Sequence, residues 1–270
     1  MTTQSISRFL LALALVVSLS LTTVLAEEST TNSGSSGKTA ESVREKLKTE
    51  KEARKTALEA FKTADKEQNT ARKLTAAQNL ANKLIAERQK ALTQAKTKSA
   101  EVKCVAAKTD IGTAIDAVNA NLTSQKAEVT AATTVEAVKT TIRAIIDKNH
   151  VFVAVLPAVR GMCAADSIKT LIDGRLTAVV AKIKTAGLDT TTIEKYLADA
   201  KASAQSAYDA YKAVANNPGI STYKTDLESA KTKLKAAKAS LELAKIEAEK
   251  LRDQSTTATN TEDSTKKAEN

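Results

Sequence analysis

The chain has 270 residues, a formal net charge of +10 and only 3% aromatic residues. Seven glycines, two prolines and no tryptophan leave little material for tight turns or for a deep core of large side chains. Alanine and lysine, which are abundant here, rank among the strong helix formers. The composition therefore argues against a β-rich fold. It predicts an all-α fold, an elongated helical bundle with long coiled-coil-like helices and an antiparallel C-terminal helical hairpin.

Residues 1–26 have the pattern of a signal peptide. Arg8 precedes the apolar run Phe9–Leu21, and residues 24–26 are of the small or aliphatic kind that a signal peptidase accepts. The alternative is an uncut N-terminal anchor, but the serines and threonines of the segment make it a poor bilayer span. We therefore expect a secreted or extracellular protein, associated with the cell envelope, and no later membrane-spanning segment.

Two polar segments frame the helical part. Residues 27–38 are rich in Ser, Gly and Thr and are predicted to form a flexible linker. Residues 255–270 contain no apolar side chain other than alanine and are predicted to be a disordered tail. Between them we expect a disulfide-stapled helical bundle over residues 39–187 and an alanine-rich helical hairpin over residues 188–254.

Residues 39–107 carry apolar residues at helical spacing, which predicts one long helix or two stacked helices. The stripes in its two halves differ in phase, and this indicates a bend or a change of partner near Asp65–Thr70. A second helix follows. A third is predicted to begin at a capping box formed by Thr133 and Glu136 and to carry an apolar stripe that reaches Cys163.

The two cysteines, Cys104 and Cys163, predict a disulfide. An exported chain with an even number of cysteines is most simply disulfide-bonded, and only one internal pairing exists here. Two buried free thiols, or one thiol that seeks a partner, are the alternatives. A straight third helix would carry Cys163 beyond the level of Cys104. We therefore expect that helix to end and fold back near Pro157 and Gly161.

The rare residues around this bend raise the question of a catalytic site. His150 is the only histidine and lies close in sequence to Cys163, an arrangement that suggests a nucleophile pair or a metal ligand. However, no further His, Cys or carboxylate cluster accompanies them at a zinc-like spacing. Phe152 and Met162 fit ordinary core positions. We therefore predict a structural turn, a protein that is not an enzyme, and no metal or cofactor.

Capping residues mark the later helix boundaries. Asp166 is a candidate N-cap, Gly187 a candidate C-terminal cap, and Asp189 a candidate N-cap of the following helix. That helix is predicted to stop at Asn216–Gly219, and the last helix to begin near Tyr223. Alanine-rich seams on both helices predict that they form an antiparallel hairpin.

Lysine is the feature that bears most on function. Two groups of lysines are candidate contacts for an anionic surface such as a wall polymer or lipid headgroups. The alternative is that they only keep alanine-rich helices in solution. One group lies near the end of the first helical region and the other on the last helix: Lys90, Lys96, Lys98, Lys103 and Lys108, and Lys231, Lys233, Lys235 and Lys238.

These observations predict a structural or interaction protein that contacts an anionic cell-wall polymer or a partner protein through its Lys-rich helices. The alternative is an amphipathic helical protein that binds anionic lipid or a membrane surface, although narrow, alanine-rich stripes predict weak insertion. A homo-oligomer formed through a coiled coil also fits the pattern. Nucleic acid is not an expected partner, because bases are gripped by aromatic and Arg side chains, which are few in this chain.

Four motifs between Val151 and Ala202 are distinctive: a VLP turn, an AAD that opens a helix, the loop KIKTAGLDTT and the following LADAKA helix. Together they resemble a group of uncharacterised secreted helical proteins from actinobacteria and candidate-phyla bacteria. The resemblance covers this run well and the hairpin after it loosely. It implies bacterial export and an all-helical build, and it implies no activity. The cysteine pair is not part of it.

Overall fold

The computed structural model describes residues 48–49, 52–63, 70–101, 104 and 106–268, with side chains described as far as residue 253. Most of these residues are helical and none is in a strand, so the all-α prediction is confirmed. The predicted signal peptide, the predicted linker and residues 65–69 of the predicted bend lie outside the described residues.

The described residues form a succession of α-helices. Two of the helices, α5 and α6, are each preceded by one π-helical turn, Val151–Val155 and Ile172–Leu176 respectively. The helices, numbered here in chain order, are α1 (52–63), α2 (Thr70–Glu101), α3 (Lys108–Ala131), α4 (Val135–Asn149), α5 (Leu156–Leu171), α6 (Thr177–Thr185), α7 (Thr191–Asn216) and α8 (Tyr223–Ala268).

The chain divides into two compact units. In its described part, the first unit comprises Ala164–Tyr208 and the last helix from Ser229 onwards. The second comprises the described residues up to Cys163 together with Asp209–Glu228. The predicted domain boundary between residues 187 and 188 lies within the first unit.

The core of the second unit is formed by α2, α3 and α4, which pack against one another. α2 and α3 run antiparallel: Gln89 bonds to Thr123, and Gln78 Nε2 donates to the carbonyl oxygens of Val129 and Ala132 at one end. Burying each large aliphatic side chain contributes about 1.5–3 kcal/mol. The largest of these fully buried side chains are Ile85, Leu92, Ile111, Ile115, Leu122 and Ile145.

α4 begins one residue later than the sequence predicts. Thr134, not Thr133, is the N-cap, and its side-chain oxygen accepts a hydrogen bond from Ala137 N at 3.2 Å. The backbone of Thr134 is extended, with φ −132° and ψ 150°, as an N-cap requires. Two adjacent threonines offer the same hydroxyl, and the sequence alone does not choose between them. Glu136 lies in the first turn, where the helix dipole favours its charge.

The third predicted helix is interrupted at His150 rather than at Pro157. His150 has the left-handed backbone conformation φ 34°, ψ 40°, which ends α4, and the π turn Val151–Val155 then leads into α5. Pro157 is the second residue of α5, and the helix continues through it and through Gly161. The wide π turn accommodates the proline ring and its missing N–H. The predicted fold-back at Pro157 is therefore wrong.

The interruption rotates the residues that follow it. Val151 and Val155 are buried, whereas Phe152, which the sequence placed in the core, is 39% exposed. Met162 is fully buried, as predicted. A stripe counted in steps of three and four from α4 fails at Phe152, because the left-handed residue and the π turn change the angle between successive side chains. Its last two members, Val159 and Cys163, are buried as predicted.

The disulfide between Cys104 and Cys163 is present, as predicted. It joins the segment after α2 to α5, and the two Cα atoms lie 5.0 Å apart. Both cysteines are buried. Because 59 residues separate them in sequence, the bond fixes a long loop of the second unit.

In the first unit, α6 ends in a Schellman motif at Gly187, as the sequence predicts. Gly187 has φ 86°, its N–H bonds to Lys184 O at 3.0 Å, and Leu188 N bonds to Ile183 O at 3.4 Å. Asp166, by contrast, is not an N-cap. It is buried inside α5, which has already begun ten residues before it.

The start of α7 is held by side-chain hydrogen bonds. Asp189, the predicted N-cap, lies one residue before the N-cap position, which Thr190 occupies, but its carboxylate still bonds to the first turn. Asp189 Oδ1 accepts from Thr191 N at 2.9 Å, and the Thr190 hydroxyl donates to Glu194 Oε1 at 2.9 Å. The bonds to Thr191 hold the pKa of Asp189 below its ordinary value. The bond from Thr190, and then that from Lys184, lowers the pKa of Glu194 in the same way.

α7 and α8 are joined by residues 217–222, and α7 ends at Asn216 as predicted. α8 continues to Ala268, where the sequence predicted a disordered tail from residue 255. No glycine or proline occurs between residue 255 and Ala268, so the sequence holds no strong signal to stop the helix. The buried faces of both helices are rich in alanine: Ala200, Ala204 and Ala207 on α7, and Ala230, Ala237, Ala244 and Ala248 on α8.

Replacing Cys104 and Cys163 together by alanine is expected to lower the free energy of unfolding by about 3–4 kcal/mol, because the unfolded chain regains the entropy that the closed loop removes. Urea denaturation measures this loss. Each single Cys→Ala variant, with its remaining thiol blocked, serves as a control and should lose a similar amount, because either change removes the bond. A double variant within about 1 kcal/mol of wild type would contradict the assigned role.

Asp189→Ala is expected to lower the urea midpoint at neutral pH and to lose this effect in acid. The folded-state pKa of Asp189 is lowered, so its contribution to stability is present above the ordinary aspartate pKa of about 3.9 and is lost as pH falls through the folded value. The measurement is the difference in midpoint between wild type and variant from about pH 7 to about pH 2.5. A difference that does not change with pH would contradict the cap.

Candidate functional site

His150 clamps the loop between α7 and α8 to the end of α4. Its Nδ1 lies 2.7 Å from the carbonyl oxygen of Pro218, and since a carbonyl only accepts, Nδ1 is the donor. The imidazole packs on the ring of Tyr223, with 4.6 Å between ring centroids. A Cβ at Gly219 would lie only 2.8 Å from Lys148 O, so the loop touches the helix end directly. These contacts give His150 a structural role.

Asn149, the residue before this clamp, is fully buried. It donates from Nδ2 to Gln125 Oε1 at 2.9 Å and to Ile145 O at 3.3 Å. Its own amide oxygen has no hydrogen-bond partner within the described structure. A polar atom left unpaired in a core costs about 1–3 kcal/mol, so the Asn149–Gln125 pair favours the one register of α3 against α4 in which the pair forms.

A charged cluster lies on α2 beside the junction of α4 and α5, which comprises His150 and the π turn Val151–Val155. Arg88 donates from Nη1 to Leu84 O at 3.1 Å and lies over the ring of Phe152, 5.7 Å from its centroid. Burial lowers the pKa of Arg88, and the neighbouring Glu87 opposes this effect. Glu87 is 2% exposed, and its carboxylate lies 3.4 Å from Arg54 Nη1 on α1. The cluster therefore connects α1 and the junction to α2.

The first predicted lysine group divides in the structure. Lys96 binds Asp116 on α3, with 2.6 Å to each carboxylate oxygen. Lys90 is half-buried and has a partner of its own. Lys98 and Lys108 are exposed and form no ion pair with a described residue. Lys103 lies outside the described residues, so the structure brings together only part of the predicted group.

An open groove runs between the end of α2 and the start of α3. It has a volume of about 810 Å³, and Lys96 and Lys108 are among the residues that line it. Asp116 is also in the groove, but Lys96 already holds its carboxylate. α3 starts at Lys108 without a side-chain cap, so the positive end of its dipole adds to the field. The remaining lining is small or hydroxyl-bearing: Thr97, Ser99, Ala100, Thr109, Gly112 and Thr113.

The second predicted lysine group lies on α8, in the first compact unit. Lys233 and Lys235 are exposed, whereas Lys231 and Lys238 are half-buried. No acidic residue occurs among these positions. Leu234, between the two exposed lysines, is buried and directs them away from the core. α8 therefore carries a cationic segment in which two of the four lysines are exposed.

Sequence reasoning missed the partners of several charged and polar residues. Asp116, Gln125 and Arg54 each contact a residue that is distant in sequence, and their own types gave no reason to select them. A weak signal existed for Asp116, because it follows Thr109 and Gly112 at helical spacing and so extends a polar stripe toward α2.

One described helical stretch is long and apolar enough to span a membrane by length and composition alone. It lies within Val135–Thr185, contrary to the prediction that no segment after the first 26 residues would qualify. However, 61% of the apolar 18-residue segment that meets this criterion is buried within the protein. That burial is typical of a core helix, whose apolar surface is already covered by other helices.

The His150–Cys163 pair cannot act as a nucleophile pair, because Cys163 is oxidised in the disulfide. In the described ranges, no three His, Cys, Asp or Glu side chains are grouped closely enough to hold a metal ion. No protein-family model, curated protein or solved structure matches the chain. The lysine-lined groove and the lysine segment of α8 are therefore the features on which a function has to be argued.

Gly161→Ala is expected to destabilise the protein by about 1–3 kcal/mol, because the added Cβ would overlap the buried ring of Tyr211. Urea denaturation measures the loss. Gly174→Ala is the matched control: it also lies in a helical segment, but a Cβ there meets nothing within 4 Å. Alanine at 174 should be neutral or stabilising by up to about 1 kcal/mol. Equal effects of the two changes would argue against the close approach of Gly161 and Tyr211.

Proposed function

We propose that the protein is a non-enzymatic structural or interaction protein of the bacterial cell envelope. In this proposal it is exported and binds an anionic wall polymer through its lysine-bearing helices. The observation that carries the proposal is the groove between α2 and α3, where the lining Lys108 is exposed and the carboxylate of Asp116 is occupied by Lys96. The exposed Lys98 lies on α2 between Thr97 and Ser99, which line the groove. The groove is therefore left with uncompensated positive charge.

The chemistry of the groove suits a flexible polyanion. A lysine ammonium is a compact charge on a flexible stem, and it attracts phosphate or carboxylate groups without demanding one fixed geometry. The hydroxyl of Thr109 lines the same groove and can donate to the same oxygens, whereas that of Thr113 already donates to Thr109 O at 3.0 Å. Binding of this kind consists of several weak contacts, and because the lysines are exposed it weakens as salt screens them.

A second candidate is an anionic lipid surface. Ile146, Phe152 and Val153 are large apolar side chains with exposed fractions of 39–51%, and the exposed Lys148 lies among them in sequence. A surface that combines apolar and basic side chains can seat shallowly at the boundary between headgroups and acyl chains. This candidate differs from the first in its ligand and in the residues that would make contact.

Co-sedimentation with purified bacterial cell walls and, separately, with anionic liposomes tests both candidates. Wild type should be retained on walls at low salt and released at high salt. The double variant Lys98→Gln/Lys108→Gln should lose about tenfold in affinity for walls, which corresponds to about 1.4 kcal/mol for the two contacts together. Binding to liposomes that is lost on replacing Phe152 and Val153 by serine would instead support the lipid surface.

The matched control is Lys83→Gln/Lys126→Gln. It removes the same charge from the same two helices, and both of its lysines are exposed. They lie at the opposite end of the α2–α3 pair, 15 residues before Lys98 and 18 residues after Lys108, which is about 20–30 Å along each helix. Equal losses for the two double variants would show that net charge, not the groove, governs binding. Retention of wild type by neither surface would overturn the proposal.

A further inference from the structure

α8 carries a second apolar stripe that the chain leaves exposed. Ala236, Ala239, Leu243 and Ile246 follow one another in steps of three, four and three, the spacing of a coiled-coil seam. Leu243 is 44% exposed and Ile246 is 41% exposed. The stripe lies on roughly the opposite side of α8 from the residues that face the core, which include Leu234, Ala237, Leu241 and Ala244.

The charges beside this stripe are segregated along the helix. Lys233 and Lys235 flank its beginning, and Glu247 and Glu249 flank its end. Both lysines are exposed, and neither of them nor Glu249 forms an ion pair with another described residue. Glu247 is paired only with the neighbouring Lys250, at 3.0 Å. One end of the seam is therefore basic and the other acidic.

We propose that this face pairs antiparallel with the same face of a second copy of the chain. The seam is complementary to itself in that orientation. With its centre near Leu241, Ala236 lies opposite Ile246 of the second copy and Ala239 lies opposite Leu243, so that every layer combines one small and one large side chain. Such alternation lets facing side chains interdigitate without voids.

The segregated charges select the antiparallel orientation. It places Lys233 opposite Glu247 of the second copy and Lys235 opposite Glu249, and the two-fold axis repeats both pairs. A parallel pair would instead place Glu242 against Glu247 of the second copy, which are like charges. In the antiparallel pair Glu242 meets its own equivalent at the centre, where Lys245, 3.2 Å away in the same chain, offsets the repulsion.

The contact is short and the dimer is accordingly weak. From Lys233 to Lys250 the helix rises about 25 Å, and a helix pair of that length lies at or below the lower end of specific interfaces, about 1,200 Å² in total. Dimerisation is therefore concentration-dependent and weakens with salt. The dimer contact involves residues of α8 only, including Lys233 and Lys235. The inference is therefore independent of the groove between α2 and α3.

Sedimentation equilibrium of the full chain from about 1 µM to about 1 mM tests the pairing. Wild type should shift from monomer to dimer. Lys233→Glu/Lys235→Glu places carboxylates opposite carboxylates, and Glu247→Lys/Glu249→Lys places lysines opposite lysines. Each double variant should dimerise at least about tenfold more weakly than wild type, and an equal mixture of the two should recover a heterodimer. The quadruple variant with all four changes should recover the homodimer.

Lys231→Glu/Lys238→Glu is the matched control, because it makes the same change of charge in the same segment but off the seam, and it should dimerise like wild type. Leu243→Gln/Ile246→Gln changes only exposed side chains and should abolish the dimer while circular dichroism keeps the helical signal. Wild type that stays monomeric throughout the concentration range would overturn the proposal. So would a dimer that all of these variants leave unchanged, because that result would place the interface elsewhere.

Discussion

The covalent tie between Cys104 and Cys163 is the constraint on which the second unit depends. It holds α5 to the segment after α2, and α4 has to be interrupted before α5 for the two sulfurs to meet. The left-handed residue His150 supplies that interruption, and its ring and the Asn149–Gln125 bond hold it in place. A chain with few large apolar residues relies more than most on such specific links, because its alanines bury little area.

Features that depend on neighbouring residues were predictable from the sequence. Gly187 ends α6 because only glycine adopts φ 86° without strain, and Asp189 supports the start of α7 because its carboxylate accepts from the backbone N–H of Thr191. The pairing of the cysteines followed from their number and the expected export. The interruption at His150 did not follow, since proline is the stronger helix breaker in sequence and a preceding π turn makes Pro157 harmless.

The candidate site was predictable in composition but not in geometry. The sequence shows that lysines crowd the start of α3, but it does not show that Lys96 is neutralised by Asp116 across two helices while Lys98 and Lys108 remain exposed. The exposure of Phe152 was missed for the same reason, because the phase of a stripe is known only as far as the helix is regular. Long-range packing decides which side chains of a given type are available to a ligand.

The alanine faces of α7 and α8 also bear on the axial position of one helix against the other in the predicted hairpin. If the two faces pair as the sequence predicts, their methyl groups present nearly the same relief after a shift of one heptad, so the alanines by themselves do not fix the axial position of one helix against the other. Only features that do not repeat can set that position. The contacts of Pro218 and Gly219 with the end of α4 are of this kind. The loop therefore sets the axial position of the two helices. Residues inserted there would let the helices shift by whole heptads while each of them stays helical.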